Sequence, residues 1–276
     1  MKKTLKTLDK KAGEHYSKAK VFFRMGRYEE ALQASEDAET VWRQMADLLS
    51  ENGEEGEKQK ILGLIFEVRS SAGMALFKMD RYEEALEVVD EALKAKPESP
   101  TEWSNRGFVL SALGRYEEAL EAFDKSLALN PDSTEALTSK GVVFFRTGQP
   151  EKALEAFDAA LAVVPKEASD WACKLPRFSF FSRNKAPVLR PNKAEPWYWK
   201  GRVFESLGEK EKALEAYKKA LESNPEHLNS LLSGGALLCE FKEYKEAFKC
   251  YTKALKLSPG NPAAKAGKEI CEENIQ

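Results

Sequence analysis

The sequence predicts an all-α array of short helical hairpins, and three observations carry that prediction. The hexapeptide Arg-Tyr-Glu-Glu-Ala-Leu occurs at 27–32, 81–86 and 115–120, the last two copies 34 residues apart. Pro97, Pro131, Pro165, Pro191, Pro225 and Pro259 follow one another at spacings of 34, 34, 26, 34 and 34. Between these prolines the apolar residues recur at helical spacing. Proline cannot continue a helix, so the ladder marks where successive helices end.

Residues 100–133 show one unit most clearly. Trp103, Gly107 and Leu110 share a face of a first helix, Leu113-Gly114-Arg115 make a turn, and Ala119, Phe123 and Leu127 line a second helix that Pro131 stops. The order W-x-x-x-G-x-x-L…A-x-x-x-F…P resembles the tetratricopeptide repeat, whose period is 34 residues. Arg106 stands where the family has Leu. The resemblance is to the arrays found in bacteria and archaea, and it covers 12–45, 66–99, 100–133, 134–167, 194–227 and 228–261, with a damaged copy at 168–193. It implies a right-handed α-α superhelix of about six full repeats, one degenerate repeat and a C-terminal capping helix.

Taken in order, residues 1–11 are basic and weakly patterned and read as a frayed lead-in. The second helix of the first repeat overruns its period, because Ala38, Val41, Trp42, Met45, Leu48 and Leu49 keep the helical spacing up to Asn52-Gly53. Another stripe, Ile61, Leu62, Ile65, Phe66 and Ala72, follows. The 20 additional residues therefore read as a lengthened hairpin standing proud of the array. In the regular centre, Gly73, Gly107 and Gly141 admit a close approach to second helices presenting Ala85, Ala119 and Ala153. Helical glycine costs about 1 kcal/mol relative to alanine, so the packing must offset it. The paired glutamates at 83–84 and 117–118 suit the positive end of a helix and read as structural.

Residues 168–193 keep a repeat-like head at Trp171 and tail at Pro191 but lack 8 residues of the period. Pro176 and Pro187 forbid long helices there. Repeats resume at Ala194 and run to 261, and residues 262–276 form the cap, with Ala263, Ala266, Ile270 and Ile275 turned inward. The expected divisions are thus 1–11, 12–167, 168–193, 194–261 and 262–276.

Composition narrows the function. A net charge of −2 gives no global attraction to nucleic acid or membrane, and no stretch approaches the ~20 apolar residues of a membrane span. Cys173, Cys239, Cys250 and Cys271 show no paired spacing, which fits a cytoplasmic protein, and at least Cys239 and Cys250 read as small buried hydrophobes. Two histidines, His15 and His227, are too few and too distant for His-paired nucleophiles or most zinc sites, and His15 is read on the groove side of the first helix. No phosphate loop or hydrolase motif is present. No catalytic residue, metal or cofactor is expected.

The resemblance implies instead a protein–protein interaction scaffold or adaptor whose first helices line a concave groove for a partner's peptide or helix. Helical projection turns Tyr16, Lys20, Phe23, Arg24, Met74, Phe77, Lys78, Phe108, Phe145, Arg146, Tyr198 and Arg202 toward that groove. Aromatic and arginine side chains are usual interface anchors, although Phe23, Phe77 and Phe145 equally suit gaps between neighbouring first helices. Lys20, Arg24, Lys78 and Arg146 outweigh Glu67 and Glu135, so an acidic, partly apolar partner segment is expected. The clamp by which heat-shock co-chaperones hold a C-terminal carboxylate is not expected, since its positions hold Tyr16, Lys20, Ser71, Thr101 and Asn105. A second patch, Lys174, Arg177, Phe178, Phe180, Phe181, Arg183 and Lys185, leaves open an RNA- or anion-binding alternative through residues 171–194.

Overall fold

The computed structural model describes residues 2–163 and 193–275. Among the described residues there are thirteen α-helices and no strand. In order they are α1 (Lys2–Arg24), α2 (Tyr28–Glu51), α3 (Glu55–Lys78), α4 (Tyr82–Ala95), α5 (Pro100–Ala112), α6 (Tyr116–Leu129), α7 (Thr134–Arg146), α8 (Pro150–Ala162), α9 (Ala194–Ser206), α10 (Lys210–Ser223), α11 (Leu228–Glu240), α12 (Tyr244–Leu257) and α13 (Pro262–Asn274). They fall into two compact units, 1–131 and 132–276.

The turn chemistry repeats with the period. Gly26, Gly114, Gly148 and Gly208 close the first helices at φ of 72–77°, the left-handed region that costs glycine nothing. Asp80 and Lys242 hold the same place at φ 59° and 62° without being glycine. Before the next first helix a side chain caps the helix: Ser99 accepts from the Glu102 N–H, Ser133 from Ala136, His227 from Ser230 and Asn261 from Ala264. The arginine of the hexapeptide pairs with the second following glutamate, Arg81 with Glu84 and Arg115 with Glu118, through two bonds each of 2.6–2.7 Å. These pairs are exposed and contribute little to stability.

In the first unit α1 is a single helix from Lys2, not a frayed lead-in followed by a helix. Leu5, Leu8, Ala12 and Tyr16 lie on the cluster built around buried Trp42, and the Trp42 indole donates to Asp9 at 3.2 Å. The overrunning helix of the first repeat needs a cover of equal length, and the basic N-terminal stretch supplies it. Helices α2 and α3 are both 24 residues long and pack on each other, as expected for a lengthened hairpin. Leu48 and Leu62, expected inside, are 36% and 41% exposed.

The glycines of the first helices meet rings rather than the facing alanines. A Cβ at Gly107 would come 2.6 Å from the Phe123 ring, one at Gly141 2.6 Å from Phe157, and one at Gly201 2.4 Å from Tyr217. These rings are fully buried. Gly73 differs, because Val89 stands in the place of Phe123 and the nearest atoms would be 3.4 Å away.

In the second unit α9 packs against both α8 and α7. Phe145 meets Trp199 edge-on at 6.4 Å, and Lys193 Nζ donates to the Leu161 carbonyl. The unit stacked after α7–α8 is therefore α9–α10, and residues 164–192 connect two directly stacked repeats. The expected degenerate repeat at 168–193 otherwise lies outside the described residues. The cap α13 packs on α12 and α11, but through Ala264, Gly267 and Cys271, one position beyond the expected stripe. Ala263 and Ala266 face solvent and Ile270 is 49% exposed, because a Cβ at position 267 would come 2.3 Å from the Tyr251 ring and only glycine fits there.

Gly107→Ala is expected to lower the unfolding free energy by about 1–3 kcal/mol, the cost of overpacking against Phe123. Gly73→Ala should be neutral or stabilise by up to about 1 kcal/mol, since only helix propensity changes. Urea titrations of both variants test the contrast. Lys242→Gly, which releases a left-handed lysine, should raise stability by about 1 kcal/mol in the same assay.

Candidate functional site

The expected groove residues of the first unit sit on α1, α3 and α5, and most already have partners. Tyr16 lies edge-on to Trp42 at 5.9 Å, with the Lys20 ammonium 3.9 Å over its ring. Phe23 stacks on Tyr28 at 5.3 Å, Phe77 on Tyr82 at 5.5 Å and Phe108 on Phe123 at 5.4 Å. Each of these phenylalanines is half-buried, filling the joint between a first helix and the second helix that follows. Met74 is half-buried, and Lys20, Arg24 and Lys78 are exposed.

In the second unit Arg146 is exposed and Phe145 leans on Trp199. Tyr198 is not a surface anchor: it is 7% exposed, packed among Trp199, Tyr217 and His227. Its hydroxyl accepts from Arg202 at 3.2 Å, so Arg202 is half-buried along its stem. Tyr217 donates to Glu205 at 2.7 Å, and burial with that acceptor raises its phenol well above the ordinary range. The aromatic row of this unit is internal packing. His15, expected toward the groove, faces Asp37 on α2 at 3.4 Å. The patch Lys174, Arg177, Phe178, Phe180, Phe181, Arg183 and Lys185 lies outside the described residues.

Two features of the first unit escape the helical projection. The first is a buried carboxylate. Glu102 is 1% exposed in the first turn of α5, where it accepts from Ser70 of α3 at 2.6 Å and from Asn105 at 3.3 Å. Ser104 and Ser126 continue the polar cluster at 2.8 Å. Glu102 follows Ser70 by 32 residues, as His227 follows Glu195, whose carboxylate is held below its usual range by that hydrogen bond. A search at this offset on successive first helices finds such partners.

The second feature is a recess of about 1200 Å³ beside the part of α3 that precedes the regular repeat. Leu62, Phe66, Ala92 and Ala95 contribute apolar surface, and Arg43, Lys58, Lys60, Arg69 and Lys96 outnumber the lining acids Asp47 and Glu67. Arg43 and Arg69 share Glu39 at 2.7–2.8 Å. Lys58 and Lys60 pair with Glu55 and Glu57 one turn back. Lys96 lies 5.3 Å over the Phe66 ring. The recess exists because α2 and α3 continue past the end of α4, leaving a flank of α3 without a neighbouring first helix.

Tetratricopeptide repeat models match residues 74–138, 110–172, 194–227 and 240–261, together more than half of the chain. The chain belongs to the tetratricopeptide repeat family. Its repeats are similar to a UDP-N-acetylglucosamine–peptide N-acetylglucosaminyltransferase of Giardia intestinalis, 34% identical over 77 residues, which is 28% of this chain and 5% of that protein. The chain thus spans only a small part of that relative. Among solved structures it resembles Pseudomonas aeruginosa pilF, with a TM-score of 0.59, 16% identity, and 95% of this chain and 99% of that one covered. It also resembles the thermophilic tetratricopeptide protein TTC0263 of Thermus thermophilus, with a TM-score of 0.58, 19% identity, and 83% and 99% covered. These likenesses concern the fold, an all-α tetratricopeptide solenoid. The family is generally one of non-enzymatic interaction scaffolds. Among the described residues no helix is long and apolar enough to cross a membrane, and no group of His, Cys, Asp or Glu is placed to hold a metal ion.

Glu102→Ala is expected to cost about 1–3 kcal/mol, because Ser70 and Asn105 lose their buried acceptor. Glu102→Gln, which keeps a carbonyl acceptor, should cost less. Thermal unfolding of the two variants measures the difference.

Proposed function

We propose that this tetratricopeptide array is a non-catalytic, cytoplasmic adaptor that holds an acidic, partly apolar segment of a partner protein, with the first unit as its principal binding region. The observation that carries this reading is the recess beside α3, which apolar side chains and five cations line together. A leucine or phenylalanine of the partner would enter beside Phe66 and Leu62, and its flanking carboxylates would meet Lys96, Lys58 and Lys60. The Lys60–Glu57 pair is exposed and weak, and half-buried Lys58 meets Glu55 only at 3.4 Å, so carboxylates of a ligand exchange with these partners at little cost. The exposed cations of the first-helix face, Lys20, Arg24 and Lys78, extend the same preference to the groove expected from the sequence. On this reading half-buried Phe23, Phe77 and Phe108, each packed on a ring of the following helix, position that face more than they anchor a ligand.

An acidic-aliphatic peptide selected from a displayed library on the intact chain tests the reading by fluorescence anisotropy. Phe66→Ala with Lys96→Glu should weaken binding tenfold or more, about 1.4 kcal/mol. Lys20→Glu with Lys78→Glu should do so if the groove holds the peptide instead. Unchanged affinity in both double variants, or selection of basic peptides, overturns the proposal. Binding of single-stranded RNA with a steep loss of affinity in salt would favour the anion-binding alternative.

A further inference from the structure

Cys239 on α11 and Cys271 in the last turn of α13 bring their sulfurs to 3.4 Å. A disulfide needs about 2.05 Å between sulfurs, so side-chain rotation of little more than an ångström separates the two thiols from a bond. Cys239 is partly exposed and Cys271 fully buried, and Cys250 on α12 is half-buried nearby. Small buried hydrophobes need not be aimed at each other. Here one thiol of the last full repeat and one of the cap meet across the joint that holds the cap in place.

We propose that Cys239 and Cys271 form an intramolecular cross-link when the chain meets hydrogen peroxide, fastening the cap to the last repeat. The partly exposed Cys239 sulfur attacks the peroxide oxygen, the O–O bond breaks, and water leaves with the Cys239 proton, giving a sulfenic acid. The Cys271 sulfur then attacks the Cys239 sulfur. Hydroxide departs with the Cys271 proton as a second water, so the two thiols are oxidised by two electrons and the peroxide is reduced to water. Burial and the contact with Cys239 push the Cys271 thiol up to about 12, so it stays protonated and the partly exposed Cys239 is the sulfur that meets the peroxide first. Because the bridge joins residues 32 apart in sequence, it removes freedom from the unfolded chain and adds no new fold.

The geometry also selects the pair. Cys250 is pushed up by burial too, but Cys271 is the thiol whose sulfur is in contact with Cys239. Cys173 lies outside the described residues and is one of the controls.

The test uses the full reduced chain treated with hydrogen peroxide, then alkylated and mapped by mass spectrometry. The expected product is a Cys239–Cys271 peptide pair at a mass lower by two hydrogens, with Cys250 and Cys173 alkylated. Cys239→Ser and Cys271→Ala should abolish the bridge, whereas Cys250→Ser and Cys173→Ser should keep it. The oxidised chain should melt several degrees higher, roughly the range for one added cross-link, and the reductant dithiothreitol should reverse the shift. Circular dichroism of Cys271→Ala confirms that the variant is folded. Free thiols at both positions after treatment, a bridge to Cys250 instead, or sulfinic acid at Cys239 with Cys271 still reduced would each overturn the proposal.

Discussion

A ring pressed onto a glycine is the contact from which the hairpins are built. Phe123 on Gly107, Phe157 on Gly141 and Tyr217 on Gly201 are the same arrangement repeated, and Tyr251 serves both Gly235 and the cap at Gly267. The ring sets how closely the two helices approach, so the alanines around it can stay small and still be buried. Where Val89 replaces the ring, the contact loosens to 3.4 Å and the joint is lined by Ala72, Ala75, Leu76, Ala85 and Val88, while the three helices of 23 or 24 residues gather separately around Trp42.

A second set of contacts does a different job. The glycine–ring joints are apolar and hold a hairpin to itself. The polar contacts between successive first helices, Ser70 with Glu102 and Glu195 with His227, are directional. Adhesion of the apolar kind tolerates sliding along a helix, whereas the buried polar member of each pair, Glu102 in one and His227 in the other, is costly without its partner at any other register. These pairs fix where one repeat sits on the previous one, and they leave the cationic surfaces of the first unit free for other work.

Most of the fold was legible because its signals are periodic: the proline ladder, the hexapeptide and the αL turns recur at fixed intervals. What escaped depended on partners more than on pattern. Leu5 and Leu8 look weak in isolation and matter only because Trp42 needs a cover. In the cap, the stripes 263, 266, 270 and 264, 267, 271 both consist largely of small residues, and an apolar count favours the one with Ile270. The Tyr251 ring reverses that choice. The groove list placed side chains by helical angle, which finds the right face but not depth, so Tyr198 was expected at the surface and is buried beneath it. Glu102 and the recess by Phe66 were invisible for a related reason, since each is made by two or more helices meeting.

The direct stacking of α9 on α7 and α8 joins repeats that are distant in sequence. The two repeats on either side hold their positions through Phe145, Trp199 and Lys193, so the chain between residues 163 and 193 joins points that the array itself has already fixed. The register of α9–α10 on α7–α8 is thus written into the described helices themselves, whatever their separation along the chain.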